Sequence, residues 1–214
     1  MTDLEAPARA GALPPVDAAP YAFPFDGRWS AADTALLLLG FQAGAVQALN
    51  AGDAVTVATD LLAAARRAGI AVIHVRRGAA EGAARGVAGV APDAPVTGSP
   101  AWALVPALAA REGDLVLDVP GDQAFRAPAL EGVLTTSGIR NLIVAGLPTD
   151  GLVHASMRAA NDRGLECLVV ADASAGTTPA RHAAQLRITT FGNGLFGTVA
   201  PAAAVIAALS RTTP

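Results

Sequence analysis

The chain has 214 residues, of which 52% are hydrophobic and 15% are charged, and its formal net charge is −3 at pH 7. This size and composition predict a folded chain with a sizeable buried core and exclude a disordered one. The absence of a basic excess argues against a nucleic-acid partner, and the apolar runs are too short for a membrane span.

Residues 1–30 are rich in proline and alanine and predict an extended arm, followed by one domain over residues 31–214. The arm has neither a basic region nor an apolar run, so we expect no signal peptide. The single cysteine, Cys167, cannot form an intrachain disulfide, which favours a cytoplasmic protein. We expect the apolar arm to cover either its own core or a neighbouring subunit. Its aromatic side chains are Tyr21, Phe23, Phe25 and Trp29.

Short apolar runs bounded by glycine or polar residues predict buried strands. The first run, TALLLL, has no polar residue after its threonine, as expected for a central parallel strand. The predicted strands are Thr34–Leu39, Ile70–Val75, Asp114–Val119, Asn141–Ala145, Glu166–Val170 and Leu195–Val199.

Segments with helical spacing of apolar residues alternate with these strands. The glycine-rich segment Ala79–Pro100 is expected to be irregular, and Ser174 or Thr177 is expected to cap the helix that starts at residue 179. The predicted helices are Ala54–Ala68, Trp102–Arg111, Ala129–Ser137, Leu152–Arg163, Pro179–Arg187 and Ala202–Ser210.

The alternation of strands and helices predicts a three-layer, Rossmann-like α/β fold with a mostly parallel six-stranded sheet and helices on both faces. In such sheets a ligand lies beyond the carboxyl ends of the strands, where the strand order reverses. The carboxyl ends of three predicted strands are at Gly40, Val119 and residues 146–150. We therefore expect these positions to lie at one site.

The sequence after the fourth strand resembles the nucleophile turn of the isochorismatase-like cysteine hydrolases. Gly146, Thr149, Asp150 and Val153 stand where that turn has its characteristic residues. The resemblance covers about residues 20–210 and is strongest to the branch of ureidoacrylate, biuret and N-carbamoyl amidohydrolases. The matching text lies at residues 20–27, 138–150, 157–184 and 194–200.

The resemblance implies a catalytic cysteine, an aspartate that exchanges its proton, and a lysine that stabilises the thiolate. The matching positions here are Leu152, Gly40 and Val119, and the sequence contains no lysine at all. None of these three side chains can act as a nucleophile or carry a proton. Cys167 lies within a predicted strand and reads as a buried structural thiol. We expect no cysteine hydrolase chemistry, no catalytic residue at the family positions and no cofactor.

Our leading hypothesis is therefore a pseudoenzyme that acts as a structural or regulatory subunit or binds a small molecule. The alternative is a repurposed enzyme that performs non-covalent chemistry on a small amide-, ureido- or isochorismate-like substrate. An ordinary family hydrolase would need the missing lysine. The candidate pocket residues are Phe41, Gln42, Arg76, Asp122, Phe125, Thr149, Asp150, His154 and Asn193.

Three acidic residues near the predicted site also have structural interpretations. Asp118 is expected to point away from Val119, because side chains alternate along a strand. Asp122 follows Pro120 in a turn, where aspartate commonly bonds to its own backbone. Asp150 is expected to cap the following helix.

Basic residues near the site are expected to be structural too. Arg76 and Arg77 could bind an anion, but a solvated or inter-subunit pair is the favoured interpretation. His74, His154 and His182 are scattered along the sequence without metal-ligand spacing, so we expect no metal site.

Family resemblance implies a homo-oligomer, either a dimer or a tetramer, or a hetero-oligomer with an active paralogue.

Overall fold

A six-stranded parallel sheet forms the centre of the molecule. The computed structural model describes residues 11–84, 86 and 91–211, so parts of the predicted arm and of the segment Ala79–Pro100 lie outside the described residues. All five strand pairings in this sheet are parallel. The strands are β1 (Thr34–Leu39), β2 (Ala71–Arg77), β3 (Leu115–Val119), β4 (Asn141–Gly146), β5 (Glu166–Val170) and β6 (Thr198–Ala200).

The strand order is β3-β2-β1-β4-β5-β6, which is the order of a doubly wound sheet. From β1 to β3 the chain builds the sheet in one direction, and after β3 it returns to the other side of β1 and adds β4, β5 and β6. The switch point therefore lies between β1 and β4, at their carboxyl ends. Every residue of β1 is buried, as its continuous apolar run predicted. The predicted α/β fold class is confirmed.

Helices cover both faces of the sheet because the strand side chains alternate between the faces. Leu36 and Leu38 point to the face covered by α2 and α6, whereas Leu37 and Leu39 point to the face covered by α3 and α4. The helices are α1 (Ala43–Ala48), α2 (Gly52–Arg67), α3 (Pro128–Thr136), α4 (His154–Asn161), α5 (Pro179–Thr189) and α6 (Ala202–Leu209).

The helix predicted at Trp102–Arg111 is wrong. Two short 3₁₀ turns, Pro100–Trp102 and Pro106–Leu108, occupy this stretch. Pro106 has no amide hydrogen to donate, and it forces Val105 into an extended conformation, so a continuous helix cannot form.

Helix α1 was not predicted, because its six residues are too few to show a clear helical period. It packs closely on the turn at Pro100–Trp102, where a Cβ atom at Gly44 would lie 2.9 Å from the Cβ of Ala101. Tertiary packing therefore supports this helix, and glycine permits the close approach.

The start of β6 and the cap of α5 differ from the prediction, whereas the predicted helical start at Leu152 falls in a π-helical turn. This turn, Thr149–Val153, has a non-helical backbone only at Gly151 and leads directly into α4 at His154. Neither predicted residue caps α5; the Thr178 hydroxyl accepts the backbone N–H of Arg181 instead. Strand β6 starts at Thr198, three residues later than expected, because a turn occupies residues 191–194.

The N-terminal segment from residue 11 onward packs against the core of its own chain. Phe23 and Trp29 are buried, and their rings meet edge-on at 5.8 Å. Ala19 exchanges two backbone hydrogen bonds with Val199 of β6 at 2.9 and 2.8 Å. Of the two coverings considered for the arm, the structure shows the one on its own domain.

None of the helices in the described residues is both long and apolar enough to cross a membrane.

Candidate functional site

The three positions that the sequence resemblance matched to the family's catalytic residues, Gly40, Val119 and Leu152, lie at or just beyond the carboxyl ends of β1, β3 and β4. Leu152 is completely buried and Val119 is 1% exposed. Both belong to the apolar cluster between the sheet and helices α3 and α4, together with Leu39 and Phe125. The floor of the candidate site is therefore apolar and buried.

Gly40 closes the switch point through its backbone. Its φ is +70°, and a Cβ atom at this position would overlap the carbonyl oxygen of Leu147 and lie 3.3 Å from Cδ2 of Leu152. The backbone N–H of Leu147 also donates to the carbonyl of Leu39 at 2.8 Å. A carboxylate side chain at position 40 therefore has no room in this structure.

Gln42 joins three segments beside the site. Its buried amide nitrogen donates to the carbonyls of Arg77 and Trp102 at 2.8 and 2.9 Å, and its oxygen accepts the N–H of Arg77 at 2.7 Å. Phe41 is completely buried in the opposite core, against the face that carries α2. Gln42 therefore has a structural role, and Phe41 does not line the site.

A buried cation stands at the same end of the sheet. Arg77 lies opposite Val119 in the β2–β3 register and points to the same face. Its guanidinium donates to Asp93 at 3.1 and 2.8 Å and to Asp122 at 2.6 Å. Burial lowers the pKa of Arg77, but these two carboxylates outweigh burial and raise it. Arg77 therefore remains charged.

The carboxylate of Asp122 lies beside the nucleophile turn. Its Cγ would be 3.8 Å from a Cβ atom at Gly151, and its side chain is 39% exposed. The guanidinium of Arg77 holds one oxygen of this carboxylate, a partner from β2 that the predicted local turn bond did not include. The sequence analysis missed the role of Arg77, although the alternation of Ile73, Val75 and Arg77 along β2 could have revealed its direction.

Arg76 points to the opposite face of the sheet, away from the site. Its guanidinium makes two hydrogen bonds to Asp118, at 2.8 and 2.9 Å, and stacks 3.6 Å from the ring centre of Trp102. Asp118 indeed faces away from Val119. The two arginines do not form a solvated pair, because Arg77 is buried and points to the other face; an inter-subunit role for Arg76 stays a prediction.

The nucleophile turn is tied to the segment that precedes α5. Asp150 accepts the backbone N–H of Thr177 at 2.8 Å and its hydroxyl at 2.5 Å, so the predicted helix-capping role is wrong. Burial raises the pKa of Asp150, but the Thr177 hydrogen bonds, the N–H of Asp150 itself and the charge of Arg181 together lower it. The Thr149 hydroxyl lies 2.8 Å from Nδ1 of His182.

His154 and His182 both take part in contacts between α5 and the residues that follow β4. Nδ1 of His154 lies 2.6 Å from the amide nitrogen of Gln185, and its ring meets Phe196 edge-on. Burial is the main cause that lowers the pKa of both histidines, so both are neutral at pH 7. Within the described residues, no three histidine, cysteine or acidic side chains gather as metal ligands.

Two further candidates lie away from the nucleophile turn. Phe125 lies beneath the guanidinium of Arg163, 4.6 Å from its carbon, and lines a groove of about 420 Å³ between α3 and the turn after α4. Asn193 is exposed in a left-handed turn after α5, with a φ of +61°.

Cys167 is buried, and burial raises the pKa of its thiol, so it is not a replacement nucleophile.

A doubly wound parallel sheet with a tight turn at its switch point defines an α/β protein of the Rossmann-like class. Residues 34–203 match the isochorismatase domain, and the chain therefore belongs to the isochorismatase family.

Individual relatives agree with this assignment. The ureidoacrylate amidohydrolase of Methylorubrum extorquens is 37% identical over 111 residues, which are 51% of this chain and 43% of that relative. The match thus spans less than half the length of this curated relative. A solved isochorismatase hydrolase from Oleispira antarctica is 30% identical, with a TM-score of 0.69 and coverage of 84% of this chain and 98% of that one.

A more distant structure shares the fold. The cysteine hydrolase from Pseudomonas syringae pv. phaseolicola 1448A is 21% identical, with a TM-score of 0.73 and coverage of 92% of this chain and 97% of that one.

The packing at Gly40 gives a test of how tightly the site is closed. Gly69 has a similar φ, +74°, but open space around its Cβ position. We expect Gly69→Ala to lower the free energy of unfolding by about 1 kcal/mol and Gly40→Ala by about 3 kcal/mol, because only the second adds a steric overlap to the backbone strain. Urea denaturation of both variants measures the difference; equal losses would contradict the closed site.

The role of Gln42 can be tested in the same way. We expect Gln42→Ala to lower the free energy of unfolding by about 3 kcal/mol, because three buried backbone groups lose their partner. Gln47→Ala, on the exposed side of α1, is the matched control and should change it by less than about 0.5 kcal/mol. A Gln42 variant as stable as the control would refute the structural role.

Proposed function

We propose that this chain is a non-catalytic member of the isochorismatase family. It serves as a structural or regulatory subunit, or it binds a small molecule without cysteine chemistry. The observation that carries this proposal is the complete burial of Leu152 at the position of the family's nucleophile. Leucine cannot form a covalent intermediate with a carbonyl substrate.

The surroundings of Leu152 support the same conclusion. A thiolate, a carboxylate and an ammonium group within one cleft depend on one another to remain charged. Here the corresponding positions carry Leu152, Gly40 and Val119; Leu152 and Val119 are buried in one apolar cluster, and Cδ2 of Leu152 lies close to Gly40. The site therefore favours stability of the fold over stabilisation of charged reaction intermediates.

An activity assay tests this proposal. We expect the purified protein to release no ammonia from ureidoacrylate or biuret above the rate in buffer. The ureidoacrylate amidohydrolase of Methylorubrum extorquens is the active control for ureidoacrylate. Leu152→Cys should remain inactive, because a thiol alone lacks the proton acceptor and the cation that activate it. Turnover by the wild-type protein that disappears in Asp122→Asn would refute the proposal.

A second function, a repurposed pocket with non-covalent chemistry, is favoured by the ion pair of Arg77 and Asp122. This pair supplies a cation and a carboxylate beside the nucleophile turn, although neither stands at a family catalytic position. A partly exposed carboxylate held by an arginine can accept N–H groups from an amide or ureido compound. Asp122 is also suitably exposed to act as a base on water.

The chain offers a matched pair of variants to test this second function. Asp118 also binds an arginine at the end of β3, is 46% exposed, and points to the other face of the sheet. If biuret or ureidoacrylate binds at the site, Asp122→Asn should weaken binding at least tenfold and Asp118→Asn should leave it unchanged, as measured by calorimetry. Absence of binding at millimolar ligand, or equal losses in both variants, would reject the second function.

A cytoplasmic location and assembly with an active paralogue belong to the same proposal. A regulatory subunit needs a catalytic partner that carries the aspartate, lysine and cysteine missing here. Co-expression with such a paralogue and purification through a tag on this chain would recover both chains together if the hetero-oligomer forms.

A further inference from the structure

Arg77 and Asp93 form a bidentate ion pair at the carboxyl end of β2. Nη1 of Arg77 donates to one carboxylate oxygen of Asp93 at 3.1 Å, and Nη2 donates to the other oxygen at 2.8 Å. Two N–H groups that meet the two oxygens of one carboxylate are the geometry in which a guanidinium binds a planar oxyanion. We name this face of the Arg77 guanidinium the fork.

The two members of this ion pair differ in their exposure to solvent. The side chain of Arg77 is 5% exposed, whereas that of Asp93 is 69% exposed. Water can therefore solvate the Asp93 carboxylate once it leaves the fork, but the buried guanidinium then needs another anion in its place. The fork thus requires a carboxylate but does not require this particular one.

The guanidinium is held in place independently of Asp93. Nη1 of Arg77 also donates to Asp122 at 2.6 Å. The backbone N–H and carbonyl of Arg77 both bond to the side chain of Gln42, and the residue is paired with β3 in the sheet. An anion that enters the fork therefore meets a preorganised site and loses little affinity to the ordering of the protein.

The segment that carries Asp93 packs apart from the two main apolar clusters. Ala91 and Ala94, on either side of Asp93 in the sequence, form a separate small cluster with Ala79. Alanine methyl groups bury little apolar area, so this cluster adds little to the stability of the fold. The Asp93 carboxylate can therefore leave the fork without disturbing the core on either face of the sheet.

The charges around the fork favour one class of ligand. Arg77 keeps the carboxylate of Asp122 beside the fork. A dianionic phosphate would place additional negative charge against Asp122, whereas a monoanionic carboxylate only replaces the charge that Asp93 brings. Chloride has the charge but is a single atom, so it cannot give each N–H group its own acceptor. A small monocarboxylate is therefore the anion that the fork fits.

We propose that the fork of Arg77 is a binding site for a small monocarboxylate anion, and that Asp93 occupies this site as an internal competitor in the free protein. This inference goes beyond the proposed function and is separable from it. Biuret has no carboxylate and tests only the N–H acceptor Asp122, whereas acetate has no N–H group and tests only the fork.

Titration with sodium acetate, followed by NMR, tests this site. The reporter is the side-chain Nε–H signal of Arg77, identified as the signal that is absent from the spectrum of Arg77→Lys. We expect Asp93→Ala to bind acetate about tenfold more tightly than the wild-type protein, because a competitor on the same chain acts at a millimolar or higher effective concentration. The wild-type signal should move in the same direction but saturate at higher acetate concentration.

Asp118→Ala is the matched control. Asp118 also binds an arginine in a bidentate manner and is 46% exposed, but on the opposite face of the sheet. The Arg77 signal of this variant should respond to acetate as in the wild-type protein, and sodium chloride at equal ionic strength should saturate neither variant. Equal acetate affinities for Asp93→Ala and Asp118→Ala would overturn the proposal, as would a wild-type Arg77 signal that does not respond to acetate.

Thermal unfolding gives an independent readout. Asp93→Ala removes one of the two carboxylates that hold the buried Arg77, so its Tm should fall below that of the wild-type protein. A ligand of the folded chain raises the Tm, so acetate should restore part of this loss. Asp93→Asn, which keeps the shape of the side chain without its charge, should show the same recovery. A Tm that acetate and chloride raise equally would indicate general screening and overturn the carboxylate site.

Discussion

The close approach of β1 and β4 at their carboxyl ends is the constraint on which the site depends. A Cβ atom at Gly146 would overlap the carbonyl of Leu39, and one at Gly40 would overlap the carbonyl of Leu147. Two glycines thus allow the backbones to meet where a doubly wound sheet ordinarily opens a crevice. Leu152 lies against Gly40, so the shape of the site follows from backbone packing together with this buried apolar side chain.

Charge at this end of the sheet serves a different purpose from charge in a catalytic cleft. Arg77 is buried, and a buried guanidinium without partners would greatly destabilise the fold. Asp93 and Asp122 supply those partners. Gln42 bonds to both the N–H and the carbonyl of the Arg77 backbone. The ion pair therefore anchors β2 to the turn after β3 and leaves Asp122 partly exposed to solvent.

The strands were predictable because each is a short apolar run, which is the pattern of a parallel strand that is buried on both faces. The site was less predictable because its contacts join residues far apart in sequence. Aspartate is a common helix-capping residue, yet the carboxylate of Asp150 accepts the backbone N–H of Thr177 instead. The direction of Arg77 follows from strand alternation, but its two carboxylate partners, including Asp122, come from loops whose paths no periodicity encodes.

The bonds between Ala19 and Val199 connect the beginning of the described chain to its last strand. During synthesis residue 19 leaves the ribosome long before β6 is made. The aromatic N-terminal segment therefore cannot form its bonds to β6 until the rest of the sheet has been synthesised. Contacts of such long sequence separation slow folding, because a large loop must close before they form. The last strand to be synthesised therefore completes the docking of one of the first segments to emerge.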